Sequence, residues 1–212
     1  MEMEFQRGLR DKISNHMDIS EPIEVVMQIA GDCKFNFCCF GVDSNEKITD
    51  LNYILFSGHK RSPNGEITYS CENNRAVFTI FPEKLPQSVY KVVFSLNIEG
   101  NGMMNGIDCF YVGIGNSGKE ALSTDFTARD FRSEKALEVV SIYRKEEWRF
   151  SVPATGFNRG LEYLLKHYGG TMEMFDEIAE ASQNEIENVP EIEEVPSVPT
   201  IDEADFEKEE TP

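Results

Sequence analysis

The chain is cut into short apolar runs of strand length, each closed by turn-forming residues, and only late does the pattern change to a helical period. Ile23-Glu24-Val25-Val26-Met27-Gln28-Ile29, bounded by Pro22 and Gly31, is rich in β-branched residues. Phe35–Val42 (FNFCCFGV), Ala76–Ile80, Val89–Ile98, Phe110–Ile114, Ala136–Tyr143 and Trp148–Val152 have the same character. Pro82 and Pro86 cannot continue a ladder and mark a crossing between two of these runs. Phe157, Leu161, Leu164, Leu165 and Tyr168 recur as one face of a helix, which Thr155 or Asn158 would cap and Gly169-Gly170 would end. Eight or nine short strands and one late helix predict a mainly β fold, an antiparallel β-sandwich with a C-terminal helix. Phe94, Leu96, Phe110, Val112, Val140 and Trp148 are the expected core.

Polar chemistry concentrates in Tyr53–Asn74, YILFSGHKRSPNGEITYSCENN. A short strand leads into a basic stretch, Ser62-Pro63-Asn64-Gly65 turns the chain, and Glu66–Tyr69 returns as a strand. Cys71-Glu72-Asn73-Asn74 reads as a polar loop. Phe5–Ser14 reads as an edge strand and turn.

The net charge of −18 is unevenly placed. From Thr171 onward there are 15 acidic residues and one basic, which leaves Met1–Gly170 with 23 acidic and 19 basic, a net of −4. The division predicted is a body, residues 1–170, and an acidic tail, residues 171–212. Thr171–Ser182 would extend as a short amphipathic helix through Met172, Phe175, Ile178 and Ala179. From Gln183 onward, Pro190, Pro196, Pro199 and Pro212 interrupt acidic and apolar residues, a composition expected to stay disordered. The apolar residues Ile186, Val189, Ile192, Val195, Val198, Ile201 and Phe206 leave room for a linear recognition segment.

Neither part carries the basic stripe of a nucleic-acid binder. No run approaches 18 apolar residues, so no membrane insertion is expected. The N-terminus lacks the apolar core of a signal peptide, and the expected location is cytoplasmic. Five cysteines, Cys33, Cys38, Cys39, Cys71 and Cys109, are odd in number and contain no Cys-x-x-Cys. They read as core or half-buried residues, with Cys38 and Cys39 on opposite faces of a strand. His59 reads as a solvated loop residue, His167 suits a helix C-terminus, and His16 lies in a polar segment. Asp125, Asp130 and Glu134 are acids of the kind a hydrolase pairs, or else belong to a solvated turn.

Four segments in order resemble the TerD-like tellurium-resistance and bacterial stress protein family. Phe5–Ser14 is similar to its opening segment, Lys60–Ile67 to its K-S-P-D-G hairpin with one residue inserted, Ile142–Phe150 to its Y-R-x-x-x-W hairpin, and Gly156–Leu161 to its G-Y-x-x-G-L stretch. The resemblance covers nearly all of Phe5–Gly170 and implies a β-sandwich with a C-terminal helix. It also implies a calcium site built from two acidic loops. The first falls on Asp32-Cys33-Lys34-Phe35-Asn36, where Asp32 is kept, a lysine stands at the middle carboxylate, and Asn36 offers only a carbonyl. The second falls on Cys71-Glu72-Asn73-Asn74-Arg75, without the acidic run that follows it in the family. Calcium takes six to eight oxygen ligands, several of them carboxylates. Asp32, Asn36, Glu72 and Asn73 therefore form a degenerate calcium site, weak at best, with Lys34 free to pair with Asp32 or Glu72. The same four residues also serve as plain turn formers.

The function expected from the resemblance is that of a non-enzymatic cytoplasmic stress-response protein with no cofactor. Its partners would be other proteins, including other stress-operon products. The alternative is a working calcium module that draws missing carboxylates from Asp108 or Asp125.

Overall fold

The computed structural model of the chain describes residues 7–116 and 118–187. Residues 188–212, and the expectation of a disordered tail made for them, lie outside the described residues. Among the described residues, twelve strands make two antiparallel sheets. The first sheet joins β1 (Arg10–Lys12), β11 (Trp148–Ser151), β10 (Ala136–Arg144), β7 (Lys91–Ile98), β3 (Phe35–Val42) and β4 (Ile54–Leu55) in that order, with β12 (Thr155–Phe157) also on β10. The second joins β5 (Ile67–Glu72), β6 (Arg75–Ile80), β2 (Ile23–Ala30), β8 (Cys109–Asn116) and β9 (Lys119–Phe126).

Alternation along the strands builds the core. β3 sends Phe35, Phe37 and Cys39 inward, β7 sends Val92, Phe94, Leu96 and Ile98, and both meet Val25, Met27, Phe78, Phe110 and Val112 of the second sheet. In β10 the register shifts between Glu138 and Val140, a bulge that puts both Val139 and Val140 into this core. Five of the six expected core residues are fully buried. Trp148 is the correction: it is half-buried, lying where β11 begins, with the Arg144 guanidinium 4.8 Å from its ring.

The outer face of the first sheet is apolar as well, because Cys38, Phe40, Val42 and Val93 are the alternate residues of β3 and β7. Two helices cover it. α1 (Leu161–His167) packs Leu164 and Leu165, with Tyr168 at its C-cap, and α2 (Glu173–Glu187) packs Phe175 and Ile178. The molecule is thus sheet on sheet with a helical layer on one side.

α1 starts later than its period implies. Phe157 pairs with Ala136 in β12, and Gly160, at φ +77°, stands at the helix start in place of Thr155 or Asn158. Its end is as expected: Gly169, at φ +74°, donates to the Lys166 carbonyl, and Gly170 donates to that of Leu165. The helix expected from Thr171 appears as α2, whose first turns belong to the packed body.

Cys39 faces the inner core and Cys38 the helical layer, so the adjacent pair does point to opposite faces. Burial pushes the Cys38 thiol up to about 12 and raises Cys39 well above the usual range. Cys71 and Cys109 are exposed, contrary to expectation, because they sit at the far ends of β5 and β8.

Candidate functional site

The Tyr53–Asn74 stretch makes a closed polar knot rather than an open site. Ser62-Pro63-Asn64-Gly65 is a turn closed by the Gly65 N–H on the Ser62 carbonyl, with Gly65 at φ +74°. Glu66, 3% exposed, folds its carboxylate back over that turn. It accepts from Ser62 Oγ (2.6 Å), the Asn64 N–H (3.0 Å), Asn64 Nδ2 (2.8 Å) and Tyr53 Oη (3.0 Å). Burial alone would raise this carboxyl; the bonds from Ser62 and Asn64 outweigh it and hold the group down at about 2. The same burial, with Glu66 as acceptor, pushes the Tyr53 phenol up to about 12. His59 donates from Nδ1 to the Ile54 carbonyl at 2.7 Å, which ties the turn to β4.

A second buried carboxylate, Glu138, lies under α1. Ser141 Oγ and Tyr168 Oη each donate to it at 2.7 Å, and the Lys91 ammonium stands 3.3 Å away. Lys91 also donates to Tyr168 Oη at 3.2 Å and pairs with Glu46 at 3.2 Å. Burial and the facing Glu138 charge push the Tyr168 phenol far up. This knot fastens the helical layer to the first sheet.

The residues of the implied calcium site fall as follows. Asp32 is exposed in the β2–β3 loop, and Asn36 sits on β3. Glu72 and Asn73 are exposed at the β5–β6 connection. That connection is not the expected four-residue loop. β5 runs on to Glu72, which is opposite Arg75, and Asn73-Asn74 form a two-residue hairpin turn with φ of +50° and +58°. Lys34 pairs with neither Asp32 nor Glu72 but with Glu99, at 2.6 Å. Asn36 Nδ2 donates to the same Glu99 carboxylate. Those two bonds lower the Glu99 carboxyl, that from Lys34 most. Among the described residues no three His, Cys, Asp or Glu side chains converge as a metal ion requires. With an ammonium and an amide already on Glu99, this donor set does not fit calcium.

Glu99 escaped the sequence reading because it lies 65 positions from Lys34. The two meet only through β3–β7 pairing, which extends to the Glu99 N–H on the Lys34 carbonyl at 3.0 Å. Of the other acids, Asp130 caps its own turn by accepting from the Thr127 N–H (2.7 Å) and Oγ1 (3.1 Å). Asp125 is exposed on β9, and Glu134 accepts from the Arg132 N–H. A recess of about 100 Å³ on the second sheet holds Glu24 and Glu120 with Arg75, and there Glu24 accepts from the Gly118 N–H at 3.1 Å.

The large concavity is elsewhere, at the open side of the sandwich. A cleft of about 870 Å³ lies between the edge of β3, the Tyr69–Cys71 part of β5, the start of α1 and the start of α2. Phe37, Phe56, Ile98, Leu161, Met172 and Phe175 supply apolar wall; Lys34, Lys135 and Arg159 bring positive charge, and Glu99 and Glu162 negative. Asn36 and Cys71 are the only residues of the two loops, besides Lys34 and Phe35, that reach it.

Against known proteins, the TerD domain family matches residues 1–168. The chain is 32% identical over 117 residues to the tellurium resistance protein TerA of an Alcaligenes species, a match that takes in 55% of this chain and 34% of that protein. The chain therefore spans about a third of that relative's length. It is 28% identical over 134 residues to the chemical-damaging agent resistance protein B of Clostridium acetobutylicum, covering 57% of this chain and 95% of that one. Two crystal structures share the fold. SAV2460, a protein of unknown function, has a TM-score of 0.57 at 14% identity and covers 73% of this chain and all of its own. SCO6318 of Streptomyces coelicolor, a homologue of the telluride resistance protein TerD, has a TM-score of 0.55 at 15% identity and covers 73% of this chain and 97% of its own.

Proposed function

The chain belongs to the TerD domain family, and from that premise we propose that it is a cytoplasmic stress-resistance protein that works by binding other proteins, without catalysis and without calcium. The names of two relatives, one for tellurium resistance and one for resistance to chemical damage, support the stress role. The observation that carries the calcium half is the Lys34–Glu99 ion pair at 2.6 Å. An ammonium in the first loop adds a positive charge where calcium affinity depends on collected negative charge, and it engages the carboxylate nearest to Asn36. The binding half is supported by the kind of concavity the molecule has. Its large cleft has apolar walls and a charged rim, the make-up of a binding surface.

Two measurements test this. Thermal melts with and without about 100 μM calcium should coincide for the native chain, whereas a Lys34→Asp, Asn36→Asp variant should gain a calcium-dependent rise. A calcium-dependent rise in the native chain would overturn the calcium-free reading. For the stress role, deleting the gene from its host should lower survival under tellurite or a DNA-damaging agent, and the native chain should restore it. Unchanged survival under both agents would reject that role.

A further inference from the structure

Asn-Gly occurs three times in the chain, at Asn64-Gly65, Asn101-Gly102 and Asn105-Gly106. This dipeptide is prone to lose ammonia, because glycine has no Cβ to crowd its nitrogen as that nitrogen attacks the asparagine side chain. Attack also requires the glycine N–H to give up its proton and the peptide plane to turn. A hydrogen bond made by that N–H opposes both.

The fold treats the three pairs differently. Gly65 donates to the Ser62 carbonyl at 2.9 Å, and Asn64 is held again through its N–H (3.0 Å) and Nδ2 (2.8 Å) on the Glu66 carboxylate. Gly106 donates to the Met103 carbonyl at 3.0 Å and Asn105 to that of Arg132 at 3.2 Å, which locks the pair into the single 3-10 turn Met104–Gly106. The Gly102 N–H has no acceptor among the described residues, and the Asn101 side chain bonds to none of them. Asn101 is exposed, and Gly100 before it, at φ +72°, borders open space. Packing demands the glycine at 102: a Cβ there would lie 2.5 Å from Cys33 Sγ and 2.7 Å from the Ile98 side chain. Contact between the loops that follow β2 and β7 therefore imposes the susceptible dipeptide.

We propose that Asn101 is a deamidation site, which reacts ahead of the other two pairs in the folded chain. The Gly102 nitrogen loses its proton to water and bonds to the Asn101 side-chain carbonyl carbon. The bond from that carbon to Nδ2 breaks, and ammonia leaves with a proton from solvent. Water then opens the five-membered imide at either carbonyl, giving aspartate or isoaspartate at 101. The sum is one water taken up and one ammonia released, with no oxidant or reductant. Either product sets a new carboxylate beside Gly100, whose carbonyl accepts from Lys135 at 2.8 Å on the rim of the cleft. Isoaspartate also lengthens the backbone by one methylene just beyond Glu99, the partner of Lys34 and Asn36.

The test uses the full chain, held at neutral and at mildly alkaline pH, then digested and read by fragmentation mass spectrometry. Asn101 should convert about tenfold faster than Asn64 or Asn105, the factor withheld by one backbone hydrogen bond that must first open. The rate should rise with pH, and in guanidinium chloride the three sites should converge. An isoaspartyl carboxyl methyltransferase with labelled S-adenosylmethionine should mark the aged native chain. An Asn101→Gln variant should lose most of that label, since glutamine would have to close a six-membered ring. Equal rates at the three sites of the folded chain, or earlier conversion at Asn64 or Asn105, would overturn the proposal. So would an Asn101 that stays intact in the folded chain and converts only in denaturant, because the contact of Gly102 with Cys33 would then be holding the peptide plane fixed.

Discussion

The Glu66 knot makes the fold sensitive to acid in a way that one substitution can isolate. The carboxyl is 3% exposed and accepts four hydrogen bonds. Its pKa is held at about 2, against an ordinary 4.5. A carboxyl held lower in the folded chain than in the unfolded one contributes stability that is complete above about pH 4.5 and is lost as pH falls through about 2. The displacement corresponds to about 3 kcal/mol at neutral pH, a large part of the 5–15 kcal/mol typical of a domain. Asp11, Asp43, Glu99 and Glu147 are also lowered, and they too weaken the native chain in acid. A Glu66→Gln variant retains those four, so the difference between the two proteins reports Glu66. Urea unfolding of both from pH 7 to pH 2 should show the variant less stable by about 2–3 kcal/mol at pH 7, with the gap closing towards pH 2. A gap that stays constant with pH would refute the reasoning, since the loss would then come from packing rather than from charge.

Other perturbations test the helical layer and the hairpin. Phe175→Ala should cost about 3 kcal/mol in urea unfolding, because the ring is 8% exposed and packs 4.8 Å from that of Phe56; no loss would detach α2 from the body. Tyr168→Phe should cost about 1–2 kcal/mol by removing the 2.7 Å donor to Glu138, and a thermal melt equal to the native one would mean water replaces it fully. Asn74→Ala should cost about 1–2 kcal/mol and Asn74→Gly almost nothing, since the φ of +58° is what an alanine resists; equal stability of both in urea would discount the turn geometry.

Strands that are buried on both faces were legible. Phe35–Val42 came out to the residue, because every position but Asn36 is apolar or small and Asp43 ends it. β9 did not, since Lys119–Phe126 borders only one neighbour and keeps a polar outer face that reads like loop. Phe157 fell in phase with the helix period and yet belongs to β12, because pairing with Ala136 outweighs a local pattern. The Cys71–Asn74 loop shrank to two residues for a related reason: Cys71 and Glu72 pair across with Ala76 and Arg75, which composition cannot show. The polar candidates suffered most. Asp32, Asn36, Glu72 and Asn73 were placed by the resemblance of two short loops, whereas the partners that decide their chemistry, Glu99 above all, arrive through strand register.

The family match ends at residue 168, five residues before α2 begins, and that boundary bears on what the cleft is. Walls from β3, β5 and α1 lie within the matched domain. Met172 and Phe175 come from beyond it and close one end, and Phe175 does so while packing on Phe56. Residues 1–168 alone would leave Phe56 without that ring and the cleft a shallower shelf beside an unpaired strand edge, a surface that invites edge-to-edge association. α2 converts the shelf into a bounded groove. One short extension thus supplies a wall of the cleft. Removing α2 should therefore open the cleft while leaving its walls from β3, β5 and α1 in place.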